Sequence, residues 1–147
     1  FPDVRLKRFL EMRGADAGSS LEAIIALPAL WVGLLYEPSS LAEAEALISG
    51  WTLEERRELR NAVPRLGLKA PFRGETVAKV AREVVGIAER GLKRRSILSR
   101  TGEDERTYLL PLIETVEQGR SPADRLLSDY KNAWQSDIGR LFAEHAF

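Results

Sequence analysis

The chain has 147 residues, with Lys plus Arg and Asp plus Glu at 22 each and a formal net charge of +0. That length suffices for one domain with a real core, burying roughly 68–70% of its unfolded surface, and the even balance lacks the basic excess of a general nucleic-acid binder. The absence of cysteine rules out disulfides and thiol chemistry within the chain, and the single histidine, His145, rules out a His-rich metal site.

The opening residues alternate. Val4, Leu6, Leu10 and Met12 fall on one parity, and Arg5, Lys7, Phe9, Glu11 and Arg13 on the other, which in a strand places the two sets on opposite faces. The spacing predicts one strand over Val4 to Arg13, broken at Gly14. A strand needs partners for its backbone groups, and no second convincing strand is visible, so a sheet made by other residues is expected to receive it. The chain opens on Phe1-Pro2-Asp3-Val4, without an initiator methionine or a signal-peptide pattern, and reads as a fragment or as an already trimmed chain. A loop of small residues follows, Gly14, Ala15, Ala17 and Gly18, of the kind that lets a ligand approach the backbone closely.

Helices are predicted for nearly all of the remainder. Ser19-Ser20-Leu21-Glu22 reads as a capping box ahead of a helix from Leu21 to about Tyr36. That helix is apolar nearly all round, which predicts a central buried element, and Pro28 is expected to kink it. Its apolar run, Ile24 to Tyr36, is short of the roughly 18 residues a membrane span needs. Ser40-Leu41-Ala42-Glu43 predicts a helix over Leu41 to Ser49. Thr52-Leu53-Glu54-Glu55 predicts another from Leu53 to about Val63, stopped by Pro64. A loop is expected over Arg65 to Gly74.

The longest predicted helix spans Glu75 to about Arg95, with Val77, Val80, Ala81, Val84, Val85, Ala88 and Leu92 in one apolar stripe. Gly86 and Gly91 within it each cost about 1 kcal/mol relative to alanine. Arg90, Lys93, Arg94 and Arg95 complement the dipole at its C-terminal end, worth about 0.3–1 kcal/mol per charge, and read as structural. After a polar turn at Ser99 to Asp104 come helices from about Glu105 to Gln118 and from about Pro122 to Trp134, the latter with proline at its first position. Trp134 and Phe142 are expected to pack, and His145 to be exposed.

Chemistry is concentrated at the end of the strand. Glu11 offers a carboxylate, the hard oxygen donor that suits Mg²⁺, which commonly keeps substrate phosphates as further ligands. Arg13 offers a planar fork that matches phosphate oxygens. The bland alternative is a solvated face or a cross-strand ion pair, and the spacing Glu-x-Arg by itself identifies nothing. Lys69 and Arg73, with Arg65 nearby, form either an anion-binding loop or a solvated one. Trp31 borders a substrate pocket or, as is commoner for an apolar helix, belongs to the core.

Three longer runs carry a resemblance: Val4-Arg5-Leu6-Lys7-Arg8-Phe9-Leu10-Glu11-Met12-Arg13-Gly14-Ala15-Asp16, Leu27-Pro28-Ala29-Leu30-Trp31-Val32-Gly33-Leu34-Leu35-Tyr36, and Gly67-Leu68-Lys69-Ala70-Pro71-Phe72-Arg73. With Trp51-Thr52, Gly91-Leu92-Lys93-Arg94-Arg95 and Ser121-Pro122-Ala123 in the same order, they strongly resemble the late portion of glutamate–cysteine ligases of the plant and alphaproteobacterial type.

The resemblance implies a mainly α, multi-helix C-terminal region. Its one N-terminal strand would belong to the antiparallel sheet of a larger α+β ligase domain, with residues 1–18 as active-site strand and loop and 19–147 as the helical region. It implies ATP-dependent joining of the γ-carboxylate of glutamate to the amine of cysteine, with Mg²⁺, in glutathione biosynthesis. By similarity Glu11 would be a metal ligand, Arg13 a catalytic and substrate-binding residue, and Trp31, Lys69 and Arg73 substrate-binding residues. The partners implied are the remainder of the ligase polypeptide, ATP, glutamate and cysteine, with a homodimer as an option and no nucleic acid or membrane; the implied compartment is cytoplasmic. The isolated piece is expected to be inactive. Plant members use a cysteine shortly before the Leu-Pro-Ala segment for a redox switch, and Ala23-Ile24-Ile25-Ala26 has no thiol there. Near Trp134, Lys131-Asn132-Ala133 departs from the family's more Gly-rich motif. The alternatives are a non-catalytic helical interaction domain and a related carboxylate–amine ligase with another acceptor.

Overall fold

Ser20 starts the helical part of the chain: its extended backbone places its hydroxyl to accept the Ala23 N–H at 3.2 Å, capping α1 (Leu21–Leu35). The cap is therefore Ser20, not Ser19. The computed structural model describes residues 3–16 and 18–145, so Ala17 of the small-residue loop lies outside the described residues. Among the described residues seven α-helices dominate, with one short hairpin ahead of the first helix and a second between the third and the fourth. Among the described residues no single helix is long and apolar enough to cross a membrane.

The N-terminal strand differs from expectation. Residues 4–12 fold back as a hairpin, β1 (Val4–Leu6) antiparallel to β2 (Leu10–Met12), with Arg5 opposite Glu11. Lys7 N–H donates to the Phe9 carbonyl at 2.9 Å across the bend. The facing backbone groups of the two strands are thus paired within the chain, while their outer edges have no strand partner among the described residues.

Next comes α2 (Pro38–Ser49), three residues earlier than expected. Glu37 caps it, its carboxylate accepting the N–H groups of Ser39 at 3.1 Å and Ser40 at 2.9 Å, with Pro38 at the first position, where no N–H is needed. Ser40, expected as the cap, is instead a fully buried residue of the first turn. Thr52 and Glu55 do form the predicted capping box of α3 (Leu53–Leu66). That helix runs through Pro64, which removes one bond from an exposed last turn without ending it; Gly67, at φ 54, does. The expected loop then contains a 3-10 turn (Gly67–Lys69) and a second hairpin, β3 (Pro71–Phe72) with β4 (Glu75–Thr76).

The long α4 (Val77–Arg95) buries Ala78, Val85, Ile87, Ala88, Gly91 and Leu92. A 3-10 turn (Glu105–Leu109) leads into α5 (Leu110–Gln118), followed by α6 (Pro122–Lys131) and α7 (Gly139–Glu144). The core is built from Leu34, Ile87, Ala88, Leu92 and Leu109, at the crossing of α1, α4 and the 3-10 turn before α5. Backbones touch where α1 and α4 cross: a Cβ on Gly91 would fall closer than 3.0 Å to the Gly33 carbonyl and to Ser40 Oγ, and one on Gly33 would collide with the Ala88 backbone. The first turns of α1 are not enclosed, contrary to the expectation of an all-round buried helix; its buried residues are Ala26, Gly33 and Leu34. Trp134 packs as expected, donating Nε1–H to Glu144 at 2.9 Å, whereas Phe142 is 71% exposed and does not. His145 is exposed, with its ring edge-on to Trp134.

The basic end of α4 has the structural role expected of it. Arg94 donates to Glu37 at 2.7 Å, to Ser40 Oγ at 2.7 Å and to Glu43 at 3.0 Å, while Arg90 also holds Glu43. Burial alone would raise the Glu37 carboxyl, but the Ser39 and Ser40 N–H groups and the Arg94 guanidinium outweigh it and hold it at about 2, against an ordinary 4.5. Between those values the unfolded chain binds a proton that the folded chain does not, so acidification favours unfolding. The contribution of Glu37 is complete above about pH 4.5 and is lost as the pH falls through about 2. Glu37→Gln is expected to lower the thermal midpoint at pH 7 and to flatten its decline between pH 4.5 and 2, as read by circular dichroism. An unchanged slope would mean that this clamp is not coupled to folding.

Candidate functional site

Glu11 lies at the centre of β2, and the hairpin register sets Arg5 opposite it. Arg5 Nε donates to Glu11 Oε2 at 2.6 Å, and Lys7 Nζ lies 3.5 Å from the same oxygen. The Arg5 hydrogen bond, then the charges of Arg5 and Arg13 and a contact from Lys7, hold the Glu11 carboxyl below the usual carboxylate range despite partial desolvation. Glu11 is therefore an anion at neutral pH, one of its oxygens already engaged. Arg13 follows directly after β2, half-buried, its N–H bonded to the Asp3 carbonyl at 2.8 Å. Its charge is near enough to act on Glu11, so the hairpin does bring these two expected site residues together. Lys7 also stands over the Phe9 ring, 5.8 Å from its centroid.

Sequence reasoning missed Arg5. Its alternation with Glu11 was visible, but only a hairpin makes residues six apart face each other. The bend over Lys7-Arg8-Phe9 carries none of the Gly, Asn, Asp or Pro that mark hairpin turns.

The other expected residues are engaged elsewhere. Arg73 sits at the tip of the β3–β4 hairpin, where Arg73 and Gly74 both have positive φ, 49 and 79, the backbone of a two-residue hairpin turn. Its fork is taken up by Glu55, at 2.6 and 2.8 Å, and by the Gly50 carbonyl. That guanidinium, together with the Thr52 N–H, pulls the Glu55 carboxyl down to about 2. Phe72 below it is buried and meets Trp51 edge-on, with ring centroids 4.8 Å apart. Arg73 thus pins this hairpin to the start of α3. Lys69 reaches Asp124 at 3.6 Å, beside the Ser121–Asp124 capping box of α6. Trp31 is half-buried against the core cluster, and its Nε1–H is buried with no acceptor among the described residues.

A hard cation fits Glu11 by donor chemistry, but only as one ligand: among the described residues no three His, Cys, Asp or Glu side chains converge to hold a metal. Chemically, the hairpin offers one carboxylate ringed by Arg5, Lys7 and Arg13, a local charge pattern suited to a metal–phosphate group whose remaining ligands come from elsewhere.

Known proteins match nearly the whole chain. The family described as Glutamate-cysteine ligase family 2 (GCS2) matches residues 1–144. The chloroplastic glutamate–cysteine ligase of Nicotiana tabacum is 46% identical over 144 residues, covering 98% of this chain and 26% of that protein. The chloroplastic ligases of Medicago truncatula and Arabidopsis thaliana are 46% and 45% identical over the same length, with 27% and 26% of their lengths covered. The chain spans about a quarter of the length of these relatives.

Proposed function

The chain belongs to glutamate-cysteine ligase family 2, and on that premise we propose that it forms the late, mostly helical part of an ATP-dependent ligase joining the γ-carboxylate of glutamate to the amine of cysteine. The carrying observation is the family match over residues 1–144, together with 46% identity over 144 residues to a relative bearing the name glutamate–cysteine ligase. In this reading the γ-carboxylate attacks the γ-phosphorus of ATP, ADP leaves, and a γ-glutamyl phosphate forms. The cysteine amine then attacks the acyl carbon, loses its proton, and expels inorganic phosphate as the amide forms.

Such phosphoryl transfer depends on positioning and charge stabilisation rather than on covalent help from the protein. Mg²⁺, when bound, would neutralise phosphate charge and align the transferring group. Glu11 would supply one of its oxygen ligands, and Arg13 would contact the transferring phosphoryl group or the glutamate. Arg5 and Lys7 keep Glu11 ionised and oriented. Lys69, Arg73 and Trp31 take lesser roles: the pairs with Asp124 and Glu55 favour a scaffolding part for the first two, and packing favours one for Trp31.

With no three metal-ligating side chains converging among the described residues and a quarter of the relatives' length, the chain by itself is expected to form no γ-glutamylcysteine from MgATP, glutamate and cysteine. Supplying the complementary three-quarters should restore formation. Turnover by the pure chain would remove the view that the remainder is required, and failure of the combination would remove the ligase reading. One observation favours a second reading, a non-catalytic helical interaction domain: the Arg5–Glu11 ion pair is complete without any ligand.

A further inference from the structure

The first turns of α1 present Leu21, Ile24 and Ile25 at 63%, 44% and 39% exposure, and with Pro28 they form one stripe at i, i+3, i+4 and i+7 spacing. Glu22 is the only charged residue of this helix. The stripe does not stop at an open surface. Ile25 and Pro28 also line a cleft of about 190 Å³ whose other walls include Val32, Leu92 and Tyr108. Leu92 belongs to the core, so the exposed stripe runs directly into the centre of the fold. Pro28 has no N–H, so the helical bond to the Ile24 carbonyl cannot be made at that position, and the acceptor lies beside the same stripe.

We propose that this stripe and cleft seat an apolar element of the ligase polypeptide lying outside the matched 144 residues, with a donor group of that element serving the Ile24 carbonyl. The inference rests on the ligase reading above. Three observations select this occupant. A helix apolar on every side is normally enclosed by protein, yet here its first turns are open. The relatives carry about three-quarters of their length beyond the matched part, ample to cover it. A lipid surface calls for Lys or Arg flanking the apolar face, and α1 has none.

The test uses this chain with the Nicotiana tabacum ligase from which the matching quarter has been removed. Affinity is measured by sedimentation and ligase activity by γ-glutamylcysteine formation. The native chain is expected to pair one to one. Leu21→Asp combined with Ile25→Asp should weaken pairing by roughly 100-fold, the scale of exposing two apolar side chains. Ile24→Asp alone should weaken it by roughly 10-fold, and Arg57→Glu on α3 should leave it unchanged. Because the three stripe side chains are exposed, the variants should keep the native helicity and thermal midpoint; should the double variant not fold, Ile24→Asp decides.

Normal pairing by the variants would overturn the proposal. So would no pairing by the native chain, a native dimer that these substitutions split, or binding of the stripe to lipid vesicles in place of the ligase segment. Pairing without γ-glutamylcysteine formation would keep this seam and remove the ligase reading. Product formation with variants that pair normally would do the reverse.

Discussion

Gly91→Ala is expected to destabilise the chain by about 3 kcal/mol, the upper range for overpacking a closed site. At about 2–4 °C per kcal/mol for this chain length, the thermal midpoint should fall by about 6–12 °C. Intrinsic propensity points the other way, since alanine is favoured over glycine inside a helix by about 1 kcal/mol. The sign is decided by what the new methyl group meets: the Gly33 carbonyl and Ser40 Oγ, both closer than 3.0 Å. Neither can move aside cheaply. The carbonyl is α1 backbone, and Ser40 is fully buried and held by Arg94 at 2.7 Å. Gly86, five residues earlier in α4, is the control. A Cβ there meets only the tip of Arg90, at 3.4 Å, and a flexible side chain can yield. Gly86→Ala should therefore be neutral or stabilising by about 0.5–1 kcal/mol. Thermal unfolding of the two variants, followed by circular dichroism, should move in opposite directions or at least differ by several degrees. Equal shifts would mean that α1 and α4 do not cross at Gly33 and Gly91.

The same pair of glycines shows what the sequence could and could not reveal. Their helix was legible, because its apolar stripe and basic end are local patterns that a 19-residue element repeats several times. Their different roles were not, because the atom that excludes a side chain at Gly91 belongs to a residue 58 positions earlier. Thr52 was readable as a cap since both halves of its box lie within four residues. Ser40 offered the same local signature, but Arg94 of α4 draws Glu37 into the capping position and Ser40 into the core, which no window around Ser40 contains. The N-terminal hairpin was hidden for the opposite reason: its turn is local but made of Lys, Arg and Phe, so backbone pairing rather than turn chemistry fixes it. Of the candidate site residues, Glu11 and Arg13 lie near each other, as their i, i+2 spacing foretold, while the partners that occupy Arg73 and Lys69 come from other helices.

Glu11 has two descriptions that make different demands on Arg5. If the carboxylate serves only the cross-strand pair, then Glu11→Gln and Arg5→Gln remove the same interaction and should have the same small effect. If Glu11 is a metal ligand in the assembled ligase, the two substitutions should separate. Glu11→Gln keeps the shape but exchanges a hard anionic oxygen for a neutral amide, and Mg²⁺ tolerates such a loss poorly. Activity of the assembled enzyme is then expected to fall at least about 10–100-fold, the range that even the supporting partners of metal ligands cost, with the Mg²⁺ concentration for half-activity rising in step. Arg5→Gln should do far less, because Arg13 and Lys7 still hold Glu11 ionised. Arg13→Lys should lower turnover without altering the Mg²⁺ requirement, since an ammonium keeps the charge and loses the two-pronged geometry. In the isolated chain none of the three should change the thermal midpoint appreciably, because exposed pairs contribute little to stability. Full activity in both Glu11→Gln and Arg13→Lys would remove this hairpin from the active site. Matching losses in Glu11→Gln and Arg5→Gln would make the ion pair, and not a metal, the reason Glu11 is there.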